Sequence, residues 1–493
     1  MKRKMTIVRQ AGFSFSGFIA GQGLRFLFNI AVAGMLGARY LGVYALALAV
    51  LQIIEVLAAG GLDAAVLRFV NLHEDCPEKQ RAHIATAVKV SFLRSLPLAL
   101  LLMLASGPLA SLLHGDRLLA ATLFCYACSL PFTVFTAVAG HAIQAYRDLR
   151  PKIVATQLIV PGGMLLLVAA LNRFSGGTVA LVSALPLASA AAGVWIWREL
   201  RRVTGLLPRD VFSAGLSGEL ARYARPLLFV ALTAMTSHWL DILMLGWYAD
   251  AGTVGLYQPA VRTAGLVRAV LIAFAGIVSP MFAGLHARGE TDELERLFRI
   301  TTRWVLLAAL PPAVVLLVMP EALLSLFGPG FIAASPVLLV LTAAVLVQSL
   351  FGLCDTLLQM TGYAKTSLAT AGAALAVHAV LNAALIPRYG MLGAAFALFA
   401  VYLLAGTARA LALRALLGML PFGAALLKPL LAALCSGLVL SLLEPLLGKL
   451  PVPALPVVSL LLVLVVYAAV VRLLQLEQEE KEVIFELLPF LKR

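Results

Sequence analysis

About fourteen apolar stretches, each long enough to cross a lipid bilayer, alternate with short polar loops along this chain of 493 residues. They lie near residues 12–36, 42–68, 84–105, 118–143, 153–171, 177–197, 226–248, 253–283, 303–327, 333–360, 366–386, 390–413, 424–447 and 453–474. Backbone polar groups in lipid must be satisfied within their own segment, so each stretch is predicted to be a helix. The alternating pattern of a membrane β-barrel is absent from the sequence. We therefore expect an all-α polytopic membrane protein with about 14 transmembrane helices.

The positive charges are distributed unevenly between the two sides of the predicted membrane. If the amino terminus is cytoplasmic, the tails, the inward loops and the inward ends of the ninth, twelfth, thirteenth and fourteenth spans hold 27 of the 38 lysines and arginines, and the outward loops hold five. This asymmetry predicts a multi-pass protein of the cytoplasmic (cell) membrane with both termini in the cytoplasm. The net charge of +14 then reflects contact of the inward loops with anionic membrane lipids. We expect no nucleic-acid partner.

A weak internal repeat divides the chain into halves. Leu36-Gly37 precedes Gly42-Val43-Tyr44, and Leu245-Gly246 precedes Gly255-Leu256-Tyr257, each at the junction of the first two spans of a half. Six plus six spans would form two lobes of the same orientation, a common transporter design. The predicted domains are a six-helix lobe at 1–198, a cytoplasmic linker at 199–225, a second six-helix lobe at 226–415, and a helical hairpin with a cytoplasmic tail at 416–493.

Two segments outside the spans are predicted to be helices that lie at the membrane surface. The first is Asp210–Tyr223, in the basic linker between the lobes. The second is Gln475–Arg493, which has apolar residues on one face and acidic residues on the other.

Polar side chains recur at helical spacing within several spans. Gln22, Arg25 and Asn29 share one face of the first span. Similar sets are Gln52, Glu55 and Asp63 in the second span, His238 and Asp241 in the seventh, Gln348, Asp355 and Gln359 in the tenth, and His378 and Asn382 in the eleventh. Positions that face lipid cannot hold such residues. These polar stripes, each a row of polar side chains on one face of a helix, therefore indicate an interior that several spans share and that water can enter. The neutral members could equally hold the bundle together by hydrogen bonds between helices.

Several cations within or near the spans point to an anionic ligand. They are Arg25, Lys89, Arg94, Arg262 and Arg268, although Lys89 and Arg94 could instead extend along the apolar surface to place their charges at the membrane interface. The planar fork of arginine suits phosphate and stays protonated when desolvated, so a cavity with several arginines suits an anionic headgroup. Arg262 and Arg268 point about 120° apart on one helix, so both cannot face one spot, and we favour Arg262. The candidate substrate-binding residues are Arg25, Arg262, Arg268, Gln22 and Asn29.

Motifs of enzymes and of metal sites are missing from the sequence. It has no Walker-type phosphate loop, no H-E-x-x-H and no convincing nucleophile elbow. The C-x-x-C of Cys125 and Cys128 has no second pair, so we expect no metal, cofactor or catalytic residue. Any driving force must then be an ion gradient, the membrane potential or the substrate gradient. Candidates for H⁺ or Na⁺ coupling are Asp241, His238, Glu55 and Asp355, although an acid paired with a nearby arginine could instead stabilise the bundle.

Four short motifs follow one another in an order known from one transporter superfamily. They are Gly37–Tyr44 followed by Gly60-Gly61-Leu62, then Tyr223–Pro226, then Leu326-Phe327-Gly328 with Phe331, then Asn382 followed by Ile386–Ala395. In this order and spacing the chain resembles polysaccharide flippases, over roughly residues 10–415. Their superfamily also contains multidrug and toxin extrusion antiporters and lipid II flippases.

The resemblance implies two six-helix lobes around a central cavity and transport by alternating access. It implies that an undecaprenyl-diphosphate type of lipid-linked oligosaccharide moves from the inner to the outer leaflet, for cell-surface polysaccharide biosynthesis. A polysaccharide polymerase and glycosyltransferases are then expected partners. Arg25 and Arg262 lie in segments where lipid II flippases carry cavity arginines. Ala49 stands at the position of the first repeat that corresponds to Arg262, whereas a close lipid II relative would have arginine there.

Other functions are less consistent with the sequence. An ion-coupled multidrug exporter moves mostly cationic substrates, which favours an acidic cavity over one with five buried cations. A lipid II flippase is less consistent with the sequence, because Ala49 stands where a close relative would have arginine. A polysaccharide polymerase or membrane glycosyltransferase usually needs a sizeable outer loop with catalytic acids, and the outward loops here are short. A non-transporting scaffold would leave the polar stripes without a purpose.

Overall fold

The structure confirms the all-α fold. This computed structural model describes residues 2–215, 218–448, 450–451 and 454–474, which contain helices and no strands. The predicted surface helix at Gln475–Arg493 lies outside the described residues.

The first part of the chain contains long helices, some of which are broken. They are α1 (Lys2–Leu36), α2 (Ala38–Ala59), α3 (Leu62–Leu72), α4 (Pro77–Leu112), α5 (Arg117–Ala127), α6 (Leu130–Ala145), α7 (Arg150–Ile153), α8 (Val160–Thr204), α9 (Pro208–Ser213), α10 (Gly218–Tyr248) and α11 (Ala251–Arg288). A π-helical turn, Val154–Ile159, joins α7 to α8.

The second part of the chain continues with mostly unbroken helices. They are α12 (Thr291–Val318), α13 (Pro320–Leu324), α14 (Ser335–Met360), α15 (Ala364–Tyr389), α16 (Met391–Leu417), α17 (Leu427–Leu447) and α18 (Leu455–Leu473). Short 3₁₀ turns at Ser325–Phe327 and Pro329–Ala334 connect α13 to α14.

The helices are long and apolar enough to make this a multi-pass membrane protein. Among the described residues, 12 helices meet the length and composition of a membrane span, or 13 if the bent pair α5 and α6 counts as one. One of these, Arg150–Thr204, has 55 residues. At about 1.5 Å per residue it measures roughly 82 Å, enough for two crossings of a bilayer core of about 30 Å. Gly176 breaks it with φ 83° and ψ 160°, between the predicted fifth and sixth spans.

The predicted second span is two helices separated by a pair of glycines. Gly60 and Gly61 lie between α2 and α3 with φ angles of 60° and 77°. Glycine adopts this left-handed conformation without the steric penalty of other residues. A Cβ on Gly61 would also overlap the carbonyl oxygen of Ala224 on α10. The break therefore needs glycine both for its backbone conformation and for the close approach of α10.

The chain forms two compact units, Met1–Gln258 and Pro259–Arg493, and α11 continues across this division. In the first unit, α3, α4, α6 and α8 bury an apolar core that includes Phe69 and Ile84. In the second unit, α11, α12, α14 and α16 bury another core, where the rings of Phe282 and Phe298 lie 6.2 Å apart. The lobes predicted from the internal repeat, 1–198 and 226–415, have different boundaries and stay a prediction.

Lys89, on α4, holds the segment that follows α8. Its Nζ donates hydrogen bonds to the carbonyl oxygens of Phe212, at 2.7 Å, and of Ala214, at 2.8 Å. These carbonyls end α9, where a cation is favoured by the helix dipole. Lys89 thus anchors the linker segment to α4.

The predicted surface helix at Asp210–Tyr223 is not continuous. α9 ends at Ser213, the backbone of Ala214 has φ −57° and ψ 132°, and α10 begins at Gly218. The extended turn at Ala214 interrupts the helix, an interruption that the charge pattern did not indicate.

Aspartates cap two helices that begin in the loops between spans. The carboxylate of Asp116 accepts hydrogen bonds from the backbone N–H groups of Leu118 and Leu119 at the start of α5. At the start of α11, Asp250 accepts one from the backbone N–H of Thr253 at 2.7 Å. Hydrogen bonds from the Thr253 side chain and backbone hold the pKa of Asp250 below its ordinary value.

The starts of α2 and α11 touch through their backbones. Gly42 is the fifth residue of α2, and Gly255 is the fifth residue of α11. A Cβ on Gly42 would overlap the carbonyl oxygen of Ala251, and a Cβ on Gly255 would overlap that of Ala38. The contact is therefore reciprocal, with each glycine facing the first residue of the other helix.

Candidate functional site

A cavity of about 200 Å³ lies inside the first unit, among α1, α2, α6, α8 and the π-helical turn. Most of its wall is apolar and includes Phe28 and Tyr44. The polar residues that line it are Arg25, Gln52, Glu55, Thr133, Thr136, Thr156 and Ser189. Concave, mostly apolar sites with a few polar groups are typical of small-ligand binding.

Arg25 reaches across to the π-helical turn. Its guanidinium donates to Oε1 of Gln157 at 2.7 Å and to the carbonyl oxygen of Thr156 at 3.0 Å. A Cβ on Gly21 would overlap the Gln157 side chain, so glycine allows α1 to approach this turn closely. The partners in both bonds are uncharged, and π turns frequently occur at functional sites.

The other polar residues of the first span differ in their surroundings. Asn29 is buried and its Nδ2 donates to the backbone carbonyl of Arg25 at 2.7 Å. Gln22 is half-buried on α1. Of the three residues predicted to share this face, Arg25 is the one that lines the cavity.

Glu55 supplies the carboxylate of the cavity. It lies near the end of α2, is hydrogen-bonded to the Thr133 side chain on α6, and interacts electrostatically with Asp63. Arg25 and Glu55, which sequence analysis assigned to substrate binding and to ion coupling respectively, thus line the same cavity.

Lys152 lies within a second polar cluster of the first unit. Its Nζ donates to Oε1 of Gln144 at 2.8 Å and lies 3.0 Å from Nε2 of His141. Asp63 interacts electrostatically with both Lys152 and His141. This cluster ties the end of α6 to α7, just before the π-helical turn that holds Arg25.

Asp241 is buried at the contact between α10 and α11. Its Oδ2 accepts a hydrogen bond of 2.8 Å from the hydroxyl of Tyr257, and its Oδ1 accepts one of 2.9 Å from its neighbour's backbone N–H. Trp239, beside it, donates to Oε1 of Gln52 at 3.0 Å and so links α10 to α2. His238 is exposed, with its ring 4.9 Å from that of Trp239.

The remaining candidates lie in the second unit. Arg262 and Arg268 are both half-buried on α11. Asp355, on α14, accepts a hydrogen bond of 2.6 Å from Ser367 and lies 3.3 Å from Nε of Arg409 on α16. Gln359 donates to the same carboxylate at 3.0 Å. Asp355 therefore has the arginine partner that was the alternative to ion coupling.

Several polar residues near these candidates were not predicted from the sequence. They are Thr133, His141, Lys152, Thr156, Gln157, Ser189 and Arg409. A glutamine within the apolar fifth span was a usable signal for Gln157. Ser189 gave no such signal, because small residues are common in packed membrane helices.

The chain matches known proteins along most of its length. The family model described as polysaccharide biosynthesis protein matches residues 7–286, and the MatE model matches residues 226–384. A probable low-salt glycan biosynthesis flippase of Haloferax volcanii, Agl15, is 23% identical over 399 residues, which cover 80% of each chain.

Solved structures share the fold. The lipid II flippase MurJ in an inward closed conformation superposes with a TM-score of 0.74 and 15% identity, covering 93% of this chain and 97% of its own. An inward-facing multidrug resistance transporter of the MATE family gives a TM-score of 0.68 and 14% identity, covering 83% of this chain and 98% of its own. At these identities the likeness establishes the fold alone.

Proposed function

Because the chain belongs to the polysaccharide biosynthesis protein family, we propose that it is a flippase for a lipid-linked oligosaccharide in cell-surface polysaccharide biosynthesis. The glycan biosynthesis flippase of Haloferax volcanii, similar over four-fifths of both chains, supports this function. The observation within the protein that carries the proposal is the cavity of the first unit, a mostly apolar space lined by Arg25, whose guanidinium is hydrogen-bonded to Gln157 and to the backbone of Thr156. The activity is non-enzymatic transport.

Arg25 and Arg262 hold the diphosphate of the substrate in this proposal. An arginine fork can donate two parallel hydrogen bonds to phosphate oxygens and keeps its charge in a desolvated site. The bonds from Arg25 to Gln157 and Thr156 orient the guanidinium before the substrate arrives. Gln22, Asn29 and Arg268 are retained as candidate contacts to the substrate.

The protein moves the headgroup by alternating access while the lipid tail stays in the bilayer. Prolines within α11 and α12, namely Pro280, Pro311 and Pro312, allow these helices to bend, as does Gly265. We propose the cytoplasmic membrane as its location, with both termini in the cytoplasm, from the asymmetry of the loop charges. Membrane lipids surround it, and a polysaccharide polymerase and glycosyltransferases are proposed partners.

Replacement of Asp241 by asparagine tests the proposed ion coupling. Asparagine keeps the size of the side chain but cannot gain or lose a proton, so we expect Asp241→Asn to lose transport driven by an H⁺ or Na⁺ gradient. The measurement is transport in proteoliposomes with and without each gradient. Tyr257→Phe, which removes the hydrogen bond but keeps the carboxylate, is the matched control. Unchanged gradient dependence in Asp241→Asn would leave His238, Glu55 and Asp355 as the candidates.

The MatE match favours an ion-coupled multidrug exporter as the second candidate function. A lipid II flippase is a third, because the fold is shared with one. The purified protein, reconstituted in liposomes, can be offered labelled lipid-linked oligosaccharide, lipid II and a cationic drug in turn. The proposed function predicts movement of the first. Movement of the drug alone, or of lipid II alone, would contradict it.

Arg262→Ala is expected to abolish display of the polymer at the cell surface while the protein still inserts into the membrane. The variant removes one of the two charges that we assign to the diphosphate. Surface polymer is measured by antibody or lectin binding, and insertion by the amount of full-length protein in the membrane fraction. Normal display by Arg262→Ala would remove this residue from the mechanism.

A further inference from the structure

We propose that the cavity of the first unit binds one sugar ring, the residue attached directly to the diphosphate of the lipid-linked substrate. This inference rests on the proposed function and assigns the cavity a role in choosing between substrates.

The volume of the cavity suits one sugar ring and little more. Its 200 Å³ correspond to about seven water molecules at roughly 30 Å³ each, which is close to the size of a pyranose with its hydroxyl groups. A second ring of an oligosaccharide would have to lie outside this space. The cavity therefore fits a single monosaccharide unit of a longer substrate.

Ser189 indicates that a polar ligand belongs in the cavity. This residue on α8 lines the cavity and is 1% exposed, and its hydroxyl has no hydrogen-bond partner among the described residues. A buried polar group without a partner is destabilising, because it has given up its hydrogen bonds to water and gained none in return. A sugar hydroxyl would satisfy it, whereas an acyl chain in the same space would not.

Other hydrogen-bonding groups that line the cavity fit the hydroxyls of a sugar. The carboxylate of Glu55 can accept hydrogen bonds from two neighbouring hydroxyl groups, and it is held by the side chain of Thr133. The hydroxyl of Thr136 donates to the backbone of Phe132 at 2.7 Å, so its oxygen can still accept. A cation-binding site would also use the carboxylate of Glu55, but it would not explain the apolar and aromatic part of the wall.

Aromatic rings complete the wall of the cavity. The rings of Phe28 and Tyr44 have centroids 4.9 Å apart at an angle of 60°, and both residues line the cavity. An aromatic wall covers the apolar C–H surface of a pyranose while the polar residues receive its hydroxyls. In pockets with mostly apolar walls, the few polar groups fix the orientation of the ligand and provide specificity.

Arg25 decides which sugar of the substrate occupies the cavity. Its guanidinium lines the same space as Glu55 and Ser189. If Arg25 holds the diphosphate, the group within reach of the cavity is the sugar bonded to that diphosphate. The cavity thus recognises the first sugar of the oligosaccharide, and sugars farther from the diphosphate make no contact with it.

The experiment compares binding of two ligands to the full-length protein in lipid nanodiscs. The first ligand is the lipid-linked oligosaccharide extracted from host membranes, and the second is a polyprenyl diphosphate without sugar. The wild type is expected to bind the first about 10-fold more tightly, because a site built for hydroxyl groups discriminates against a ligand that lacks them. Equal binding of both ligands by the wild type would overturn the inference.

Three variants test whether the preference for the sugar-bearing ligand over the bare diphosphate depends on the cavity. Ser189→Leu fills the space, and we expect it to lose the preference for the sugar while its affinity for the bare diphosphate stays within about twofold. Ser183→Leu, on the same helix but not lining the cavity, is the matched control and should keep the preference. Thr133→Val removes a hydroxyl at nearly constant volume and should lower the preference several-fold, even if Ser189→Leu fails to fold. An unchanged preference in the folded cavity variants would overturn the inference.

Changes at Glu55 and Arg25 separate this inference from its alternatives. Glu55→Gln keeps a group that can hydrogen-bond to hydroxyls and should retain most of the preference, whereas Glu55→Leu should lose it. Equal loss of the preference for the sugar-bearing ligand in both Glu55 variants would show that the charge of Glu55 matters, rather than its hydrogen bonding to the sugar. Arg25→Gln should lower the affinity of the protein for both ligands by a similar factor. If the wild type binds neither ligand, the proposed function itself fails, whatever the cavity variants do.

Discussion

Arg25→Gln is expected to slow the movement of lipid-linked oligosaccharide across proteoliposome membranes by roughly 100-fold or more. The glutamine stays polar but loses both the charge and the fork that would face the diphosphate. A hydrogen bond to a charged group contributes about 1.5–3 kcal/mol, and two are lost together. The rate is measured as the appearance of labelled headgroup on the side opposite to its addition.

The control for this variant is Arg147→Gln. Arg147 pairs with Glu74 at 3.0 Å, and both side chains are mostly exposed. An exposed ion pair contributes about 1 kcal/mol or less, so this variant should transport at close to the normal rate. Full activity of Arg25→Gln, or equal losses in both variants, would remove Arg25 from the substrate site.

Gly42→Leu should prevent the chain from reaching its folded state. Even the first atom of the new side chain would overlap the carbonyl oxygen of Ala251, which belongs to helix backbone and cannot turn aside. The starts of α2 and α11 would have to separate, at a cost of about 4 kcal/mol or more, the size of an exceptional single substitution. The measurement is the yield of monodisperse protein in detergent, followed by thermal unfolding of any that remains.

A matched leucine substitution is available on α1. Gly34 is exposed, and a Cβ there would meet no atom within 4 Å. Gly34→Leu should therefore give normal yield and unfolding temperature, because leucine is also a better helix former than glycine. If Gly42→Leu behaved like Gly34→Leu, the backbone contact between α2 and α11 would not be needed for folding.

The sequence was sufficient to predict the membrane helices but not their breaks. Runs of apolar residues have one low-energy conformation in lipid, so hydropathy alone indicated where helices lie. The left-handed pair Gly60 and Gly61 and the π-helical turn at Val154–Ile159 are stabilised by neighbouring helices. Packing of this kind leaves no periodic signal in the chain itself.

Polar stripes identified residues of interest but not their partners. Arg25 and Gln157 are 132 residues apart, and their hydrogen bond depends on how α1 crosses the π-helical turn. Arg409 is not among the cations that the sequence singles out, yet it lies 3.3 Å from the Asp355 carboxylate. Helical spacing reports which residues share a face, and it carries no information on what that face meets.

The reciprocal glycine contact makes two positions depend on each other. Gly42 and Gly255 occupy the same place in their helices, and each meets the first residue of the other helix. A larger side chain at either position would push apart the same two helix starts. Neither glycine can therefore compensate for a change at the other.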